Sequence, residues 1–529
     1  MGACDSSSQK VLKSKSFFTM SPNMQNQINS GQSSNNKIKL EFGIYNCDLN
    51  ERYQVLAKFL NSTIQPFKTE TVKSHQNMII FNGCYICDYF FEQPQMMRFS
   101  IIKNDKIIGS ITPYLGMIVG APHSTYKVGI SPDKRESISI TAFGIRDFNT
   151  FVLINFLIRT DRHANFSDIQ NKISYIITSN GRKVYSSESI SKFGQFKTTY
   201  IPVSLLEPQF DISFLNSSQQ LLVSKSETIQ SFTQPNNRIY LSINANNNQI
   251  SLFNQSQVLR QYSFIDYIKN GVQIKLSIGI DFTASNGGIN EPNSLHFISQ
   301  GGFNDYEQAI RQCGLIMAFY DYDQQFPVYG FGAIINNIPK PNMCFNINFK
   351  QNPEIYTIDN VIAEYRNCLR RIQFAGPTEF CPMIRKAIEN IRKENNPLEY
   401  HVLMILTDGV IVDQQNTIDA VIEASFLPFS LIIIGIGNDH FQEMIELDGD
   451  DVQLISSTGV RRMRDVVQFV PYNKYRNNPN ELTAQVLEEI PKQIVDYYTM
   501  NRIYPDNLAN AQLRSQTMMR NNNIKNYNY

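Results

Sequence analysis

The hydrophobic pattern changes character at about residue 259, and that change limits the folds open to this chain. Upstream, from Lys37 to about Ile250, short apolar runs at 38–44, 78–81, 97–102, 137–143, 151–158, 172–178 and 239–243 are separated by Asn, Ser, Gly and Pro. No helical stripe persists through them, which is the texture of antiparallel β-sandwiches. Downstream, strongly apolar runs at 272–281, 401–408 and 429–437 alternate with helical segments at 306–320, 358–372 and 382–393. That alternation predicts a mainly parallel sheet covered by helices on both faces. The expected fold is multidomain: two antiparallel β-sandwiches, then a doubly wound α/β module.

Length agrees, since 529 residues at roughly 150 per domain give three or four domains. The expected boundaries are a polar tail at 1–36, a first sandwich at 37–128, a second at 134–250, the α/β module at 259–475, a C-terminal helix at 476–500 and an Asn-rich tail at 501–529. The stretch around 128–135, with Gly129 and Pro132, is read as the division between the sandwiches. Lys and Arg number 48 against 47 Asp and Glu, so the formal charge of +1 argues against a nucleic-acid binder held by phosphates. No apolar run approaches the roughly 20 residues of a membrane span. The first 36 residues lack the apolar core of a secretory signal. Of eight cysteines only Cys84 and Cys87 form a C-x-x-C, without a second pair or a His at ligand spacing. Buried strand thiols in a reducing, cytosolic compartment are the expected reading.

The chain opens Met1-Gly2-Ala3-Cys4-Asp5-Ser6, which fits the N-myristoylation pattern at Gly2 once Met1 is removed. One myristoyl chain anchors only marginally. A palmitoyl group on Cys4, or the basic cluster Lys10, Lys13 and Lys15, would supply the second contribution. The tail up to about Asn36 then reads as a flexible tether.

In open parallel sheets the ligand site lies at the carboxyl ends of the strands. Gly435-Ile436-Gly437 lacks the third glycine of a dinucleotide turn and ends a late strand. The first strand instead ends Asp281-Phe282-Thr283-Ala284-Ser285, a carboxylate and two hydroxyls on one tight loop. Oxygen donors of this kind suit a hard octahedral cation such as Mg²⁺. The strand at 401–406 ends Thr407-Asp408-Gly409, adding a second carboxylate, and Gly376-Pro377-Thr378 offers another hydroxyl. A single Asp after a strand is more often a turn or cap residue, but three such loops share one edge.

These motifs closely resemble the copine family. The resemblance rests on Ser263–Ile268, Ile280–Gly287, Phe326–Ala333, Thr407–Ile411, Glu446–Val452 and Val466–Pro471, and it continues through Glu488–Gln493. It implies two N-terminal C2 domains and a C-terminal von Willebrand factor A-like domain. Asp88–Glu92 and Gln95–Phe99 carry the C2 match. The resemblance further implies that Asp281, Thr283, Ser285, Thr378 and Asp408 form a metal-ion-dependent adhesion site for Mg²⁺ or Mn²⁺, with one position left for a carboxylate of a partner protein. Asp448, Asp450 and Asp451 read as a solvated turn.

The C2 calcium ligands of the family are largely missing. Ca²⁺ takes six to eight oxygens. The first sandwich offers only Asp48 in a short loop and Asp105 between lysines, and the second offers Asp147, with Phe214-Leu215-Asn216-Ser217-Ser218 at its other loop. Tight Ca²⁺ binding by either sandwich is therefore not expected. A basic face at Lys172, Arg182, Lys183, Lys192 and Lys197 is read as an ordinary solvated β surface rather than a headgroup site.

The expected function is a peripheral adaptor at the cytoplasmic face of a membrane. It would bind anionic phospholipid and recruit a protein partner through the cation, without enzymatic chemistry. A working calcium-dependent phospholipid-binding sensor is the first alternative, and an enzyme-associated scaffold the second. Relatives that join a copine-like domain to a zinc RING act as ubiquitin ligases, but 507–529 contain no Cys or His.

Overall fold

The computed structural model describes residues 37–508, apart from 61–63, 131–134, 145–149, 161–171, 191–193, 207, 235–237, 243–248, 261, 300, 337 and 450–453. Gly2, Cys4, Asp147, Lys192, Asp450 and Asp451 lie outside the described residues. The chain divides into two compact units, one holding Ile145–Ser263 and the other combining Ile38–Gly144 with the chain from Phe264 onward. Among the described residues no helix is long and apolar enough to cross a membrane.

In the first sandwich, strict alternation drives the fold: Ile38, Leu40, Phe42 and Ile44 point inward from one sheet, and Tyr53, Val55 and Ala57 from the other. One sheet orders Met78–Ile80, Lys37–Tyr45, Ser137–Gly144 and Thr125–Gly129, and the other Phe67–Lys68, Arg52–Phe59, Met97–Lys103 and Lys106–Ile111. Ser137–Gly144 pairs with Lys37–Tyr45 along its whole length, from Ile38↔Gly144 to Tyr45↔Ser137. This corrects the expected division at 128–135. Thr125–Gly129 pairs antiparallel with Ser137–Gly144 inside the first sandwich, because glycine turn chemistry serves a hairpin as well as a linker, and Pro132 lies outside the described residues. The first sandwich therefore closes at Gly144.

The second sandwich packs Phe156, Tyr175, Phe196, Phe214 and Phe232 at its centre, largely edge to face. Gln257–Arg260 pairs with Thr150–Ile154, so this sandwich runs to residue 260 rather than 250. The α/β module then begins with the helix Phe264–Lys269 rather than at 259.

Among the described residues the α/β sheet has five parallel strands. Their spatial order is Gln325–Phe331, Gln273–Asp281, Glu399–Thr407, Phe429–Gly435 and Val467–Pro471. Numbered along the chain this is 2-1-3-4-5, which puts a topological switch point between the strands ending at Asp281 and Thr407. The expected single C-terminal helix is two, Pro479–Leu487 and Ile490–Met500. Pro491 stands in the first turn of the second, where its missing N–H costs no intrahelical bond.

Within this unit the first sandwich docks on the amino-end side of the α/β sheet. Phe91 packs on Phe264 (ring centroids 5.2 Å) and Tyr320 (4.8 Å), Tyr114 stacks on Phe319 (5.4 Å), and the Tyr89 and Tyr320 hydroxyls hydrogen-bond. Phe264 lies just before the first strand, and Ala318–Tyr320 follows the helix that runs back from its carboxyl end. The sandwich thus leaves the carboxyl edge of the sheet clear.

Candidate metal centre

Asp281 is fully buried at the end of the first strand. Its Oδ1 accepts from Thr283 N (2.8 Å) and Thr283 Oγ1 (2.7 Å), and its Oδ2 from Thr407 Oγ1 (2.6 Å). Thr283 Oγ1 and Ser285 Oγ lie 2.9 Å apart, and Ser285 Oγ donates to Asp408 Oδ1 at 2.9 Å. Hydroxyls thus link the two carboxylates across the switch point. Thr378 is buried beside them, since a Cβ on Gly409 would stand 3.6 Å from both Ser285 Oγ and Thr378 Oγ1. All five residues named from the sequence meet at one edge, with Ser285 exposed at its mouth.

Local backbone contacts explain the convergence. Ala284 N donates to Ala375 O at 2.7 Å, tying the first loop to the segment that carries Thr378. Asp413 accepts from Phe380 N (3.1 Å) and Cys381 N (2.9 Å), capping the helix Cys381–Glu394 just after Thr378. Gly332 has φ +74°, and a Cβ there would come within 2.3 Å of Thr283 Cγ2, so only glycine lets the second strand pass this loop.

A polar layer behind the loop escaped the sequence reading. His296, fully buried, has Nε2 2.8 Å from the Asp281 carbonyl and Nδ1 2.6 Å from the Tyr365 hydroxyl. A carbonyl only accepts, so Nε2 carries the proton and Nδ1 accepts from Tyr365. Burial pushes the imidazole down to about 3, so it stays neutral. Asn286 donates to Asp408 Oδ1 (2.9 Å) and accepts from Tyr306 (2.7 Å). Asn286 and Thr407 lie inside the recognised segments but were not named as site residues. His296, Tyr306 and Tyr365 carried no local signal.

The donor set fits a divalent cation. Burial, then the charge of Asp281, pushes the Asp408 carboxyl up to about 7, and burial also raises Asp281 against its hydrogen bonds from Thr407 and Thr283. Two carboxylates crowded in a desolvated site are poorly balanced by hydroxyls alone, whereas a cation offsets both charges. Asp281, Thr283, Ser285, Thr378 and Asp408 would hold it, and it would supply an open coordination position at the exposed edge.

The pH dependence follows. Because the folded value of Asp408 lies above its ordinary 3.8, its contribution to stability in the metal-free protein is fullest below 3.8 and is lost as pH rises through about 7. Mg²⁺ must displace that proton, so affinity should fall up to about tenfold per pH unit below about pH 7. Calorimetric titration with Mg²⁺ from about pH 6 to about pH 8 checks this, and a flat profile would show that Mg²⁺ displaces no proton from Asp408 in that range.

Of the three calcium candidates, Asp48 and Asp105 lie among the described residues. Asp48 is ion-paired with Lys103, whose ammonium also lies 3.3 Å from Glu136. Asp105 (φ 64°) and Asn104 (φ 46°) form the tight turn between Met97–Lys103 and Lys106–Ile111. In the second sandwich Asn216 Oδ1 accepts from Ser218 N (3.0 Å) and Gln220 N (2.9 Å), as a turn residue. Gly435 offers no phosphate cradle, because a Cβ there would meet the buried Phe441 ring at 2.9 Å. All seven described cysteines are free, and burial pushes Cys87 up to about 12.

The copine family model matches residues 294–506. Copine-A of Dictyostelium discoideum is 33% identical over 480 residues, spanning 83% of this chain and 79% of that protein. Among solved structures, the manganese-loaded Plasmodium vivax TRAP protein is 12% identical, with 41% of this chain and 75% of that chain covered at a TM-score of 0.26. The calcium-bound pair of C2 domains from Extended-Synaptotagmin 2 is 11% identical, with 43% of this chain and 98% of that chain covered at a TM-score of 0.19. Identity sustained across most of both sequences, rather than likeness of shape, settles the matter: the chain belongs to the copine family.

Proposed function

We propose that this protein is a non-enzymatic peripheral adaptor at the cytoplasmic face of a membrane. The α/β module recruits an acidic residue of a partner protein through Mg²⁺ or Mn²⁺ held by Asp281, Thr283, Ser285, Thr378 and Asp408. The observation that carries this reading is the meeting of two carboxylates and three hydroxyls at the switch point, on an edge the first sandwich leaves clear. Val410 (45% exposed) and Val412 (65%) beside Asp408 add apolar surface for such a partner.

Membrane affinity comes from acylation at Gly2, reinforced by Cys4, and the sandwiches add only weak, calcium-independent contacts to anionic phospholipid. Lys103 supports the calcium-independent reading, because its ammonium already balances Asp48 and Glu136 at the loop end of the first sandwich. Liposome flotation of the acylated full chain and of Gly2→Ala, each with Ca²⁺ and with chelator, tests this. Binding should require Gly2 and ignore Ca²⁺. Calcium-driven binding by Gly2→Ala would overturn it and favour a calcium sensor.

A further inference from the structure

A second group of ligand-type side chains lies at the opposite, amino edge of the α/β sheet. Glu394 is the last residue of the helix Cys381–Glu394, and Glu399 and His401 share one face of the next strand, two residues apart. One donor atom from each of the three lies within 4.8 Å of the others. His401 is 9% exposed, and its Nε2 stands 3.6 Å from Glu394 Oε2, beyond hydrogen-bond reach. Among the described residues its ring makes no hydrogen bond, although its backbone N–H donates to Pro428 O at 2.8 Å. The imidazole thus lies beside two carboxylates without a hydrogen bond on its ring among the described residues, which leaves a ring nitrogen available to a metal.

The surroundings favour a cation over a proton. Lys275 is the cross-strand neighbour of His401, but its ammonium is already held by Asp321 Oδ1 and Asp323 Oδ2, each at 2.8 Å. Burial, then Lys275, pushes His401 down to about 4, so the ring is neutral and a competent ligand. Glu394 is raised by burial and by the charges of Glu399 and Glu354, with Lys275 and Lys393 opposing. Glu399 is raised by burial, with Lys275 opposing and Asp323 adding to the rise. Glu394 also sits where the negative end of a helix dipole disfavours a carboxylate.

We propose that Glu394, Glu399 and His401 form a second metal site, selective for Zn²⁺-type borderline cations. Imidazole with carboxylates suits such ions, whereas the all-oxygen set at the carboxyl edge suits Mg²⁺ or Mn²⁺. Tetrahedral Zn²⁺ at about 2.0–2.2 Å from its ligands places them roughly 3.4 Å apart. Glu394, half-exposed, is the ligand with most room to move toward that spacing. The ion would clamp the helix end to the strand across the turn at 395–398 and leave a fourth position for water. The proposal does not depend on the adaptor reading.

The test uses the chelator-treated full chain and Zn²⁺ alone, by equilibrium dialysis and calorimetry. At least one equivalent should bind to the wild type, and one should remain in Asp408→Asn, which lacks a carboxylate of the carboxyl-edge site. In Glu394→Gln, whose exposed position preserves the fold, affinity should fall by at least the ~10–100-fold that loss of an outer-shell partner costs. His401→Asn should lose the site and, with Co²⁺ as probe, the tetrahedral absorption. Zn²⁺ binding unchanged by Glu394→Gln, or removed by Asp408→Asn, would overturn the proposal.

Discussion

Asp408→Asn should abolish the thermal stabilisation that Mg²⁺ or Mn²⁺ gives the full chain, yet leave the metal-free protein no less stable than wild type above about pH 7. The two effects have one origin. In the metal-free protein Asp408 and Asp281 are like charges in a buried site, and burial together with Asp281 pushes Asp408 up to about 7. An amide keeps the oxygen that accepts from Ser285 and Asn286 and removes the repulsion. It also removes a carboxylate that a hard cation needs. At about one hundred times its Kd, a cation bound only to the folded state adds about 2.7 kcal/mol, which the variant forfeits. Scanning calorimetry with cation and with chelator reads both effects. A cation-dependent rise in Tm that survives the substitution would place the metal elsewhere.

Gly120→Leu should separate the first sandwich from the α/β module. Gly120 has φ −76°, so the substitution adds no backbone strain, and its effect is steric. A Cβ there would stand 2.0 Å from the Phe319 carbonyl oxygen, and the nearby Gly116 already lies against the Phe319 ring, where a Cβ would come to 2.5 Å. Neither backbone can yield by that much while the aromatic cluster of Tyr89, Phe91, Tyr114, Phe264 and Tyr320 stays packed. Overpacking of a close contact typically costs about 1–3 kcal/mol, and here undocking is the way to relieve it. Denaturant unfolding should change from a joint transition of the two bodies to separate ones, with earlier proteolysis near Phe319. Joint unfolding that persists would mean that these contacts are not what couples them.

The sequence by itself determined the class of each module and the oxygen-bearing side chains that meet at the carboxyl edge. Alternation such as Ile38, Leu40, Phe42 and Ile44 is a local property of strands, and it is read as such without knowing the partners. Asp281, Thr283 and Ser285 are likewise local, because a strand end and a two-residue spacing already set them on one loop. Tertiary structure decided what depends on pairing between distant segments. Ser137–Gly144 joined the first sandwich through its register with Lys37–Tyr45, although the Gly and Pro of the stretch before it read as a boundary. His296 supports Asp281 from 15 residues away, and Tyr365 supports His296 from 69 residues away, by contacts no short motif encodes. Glu394, Glu399 and His401 meet only because a helix packs back on its following strand. Turn residues and single polar side chains report local geometry, while the choice of partner is made by burial and hydrogen bonding across the fold.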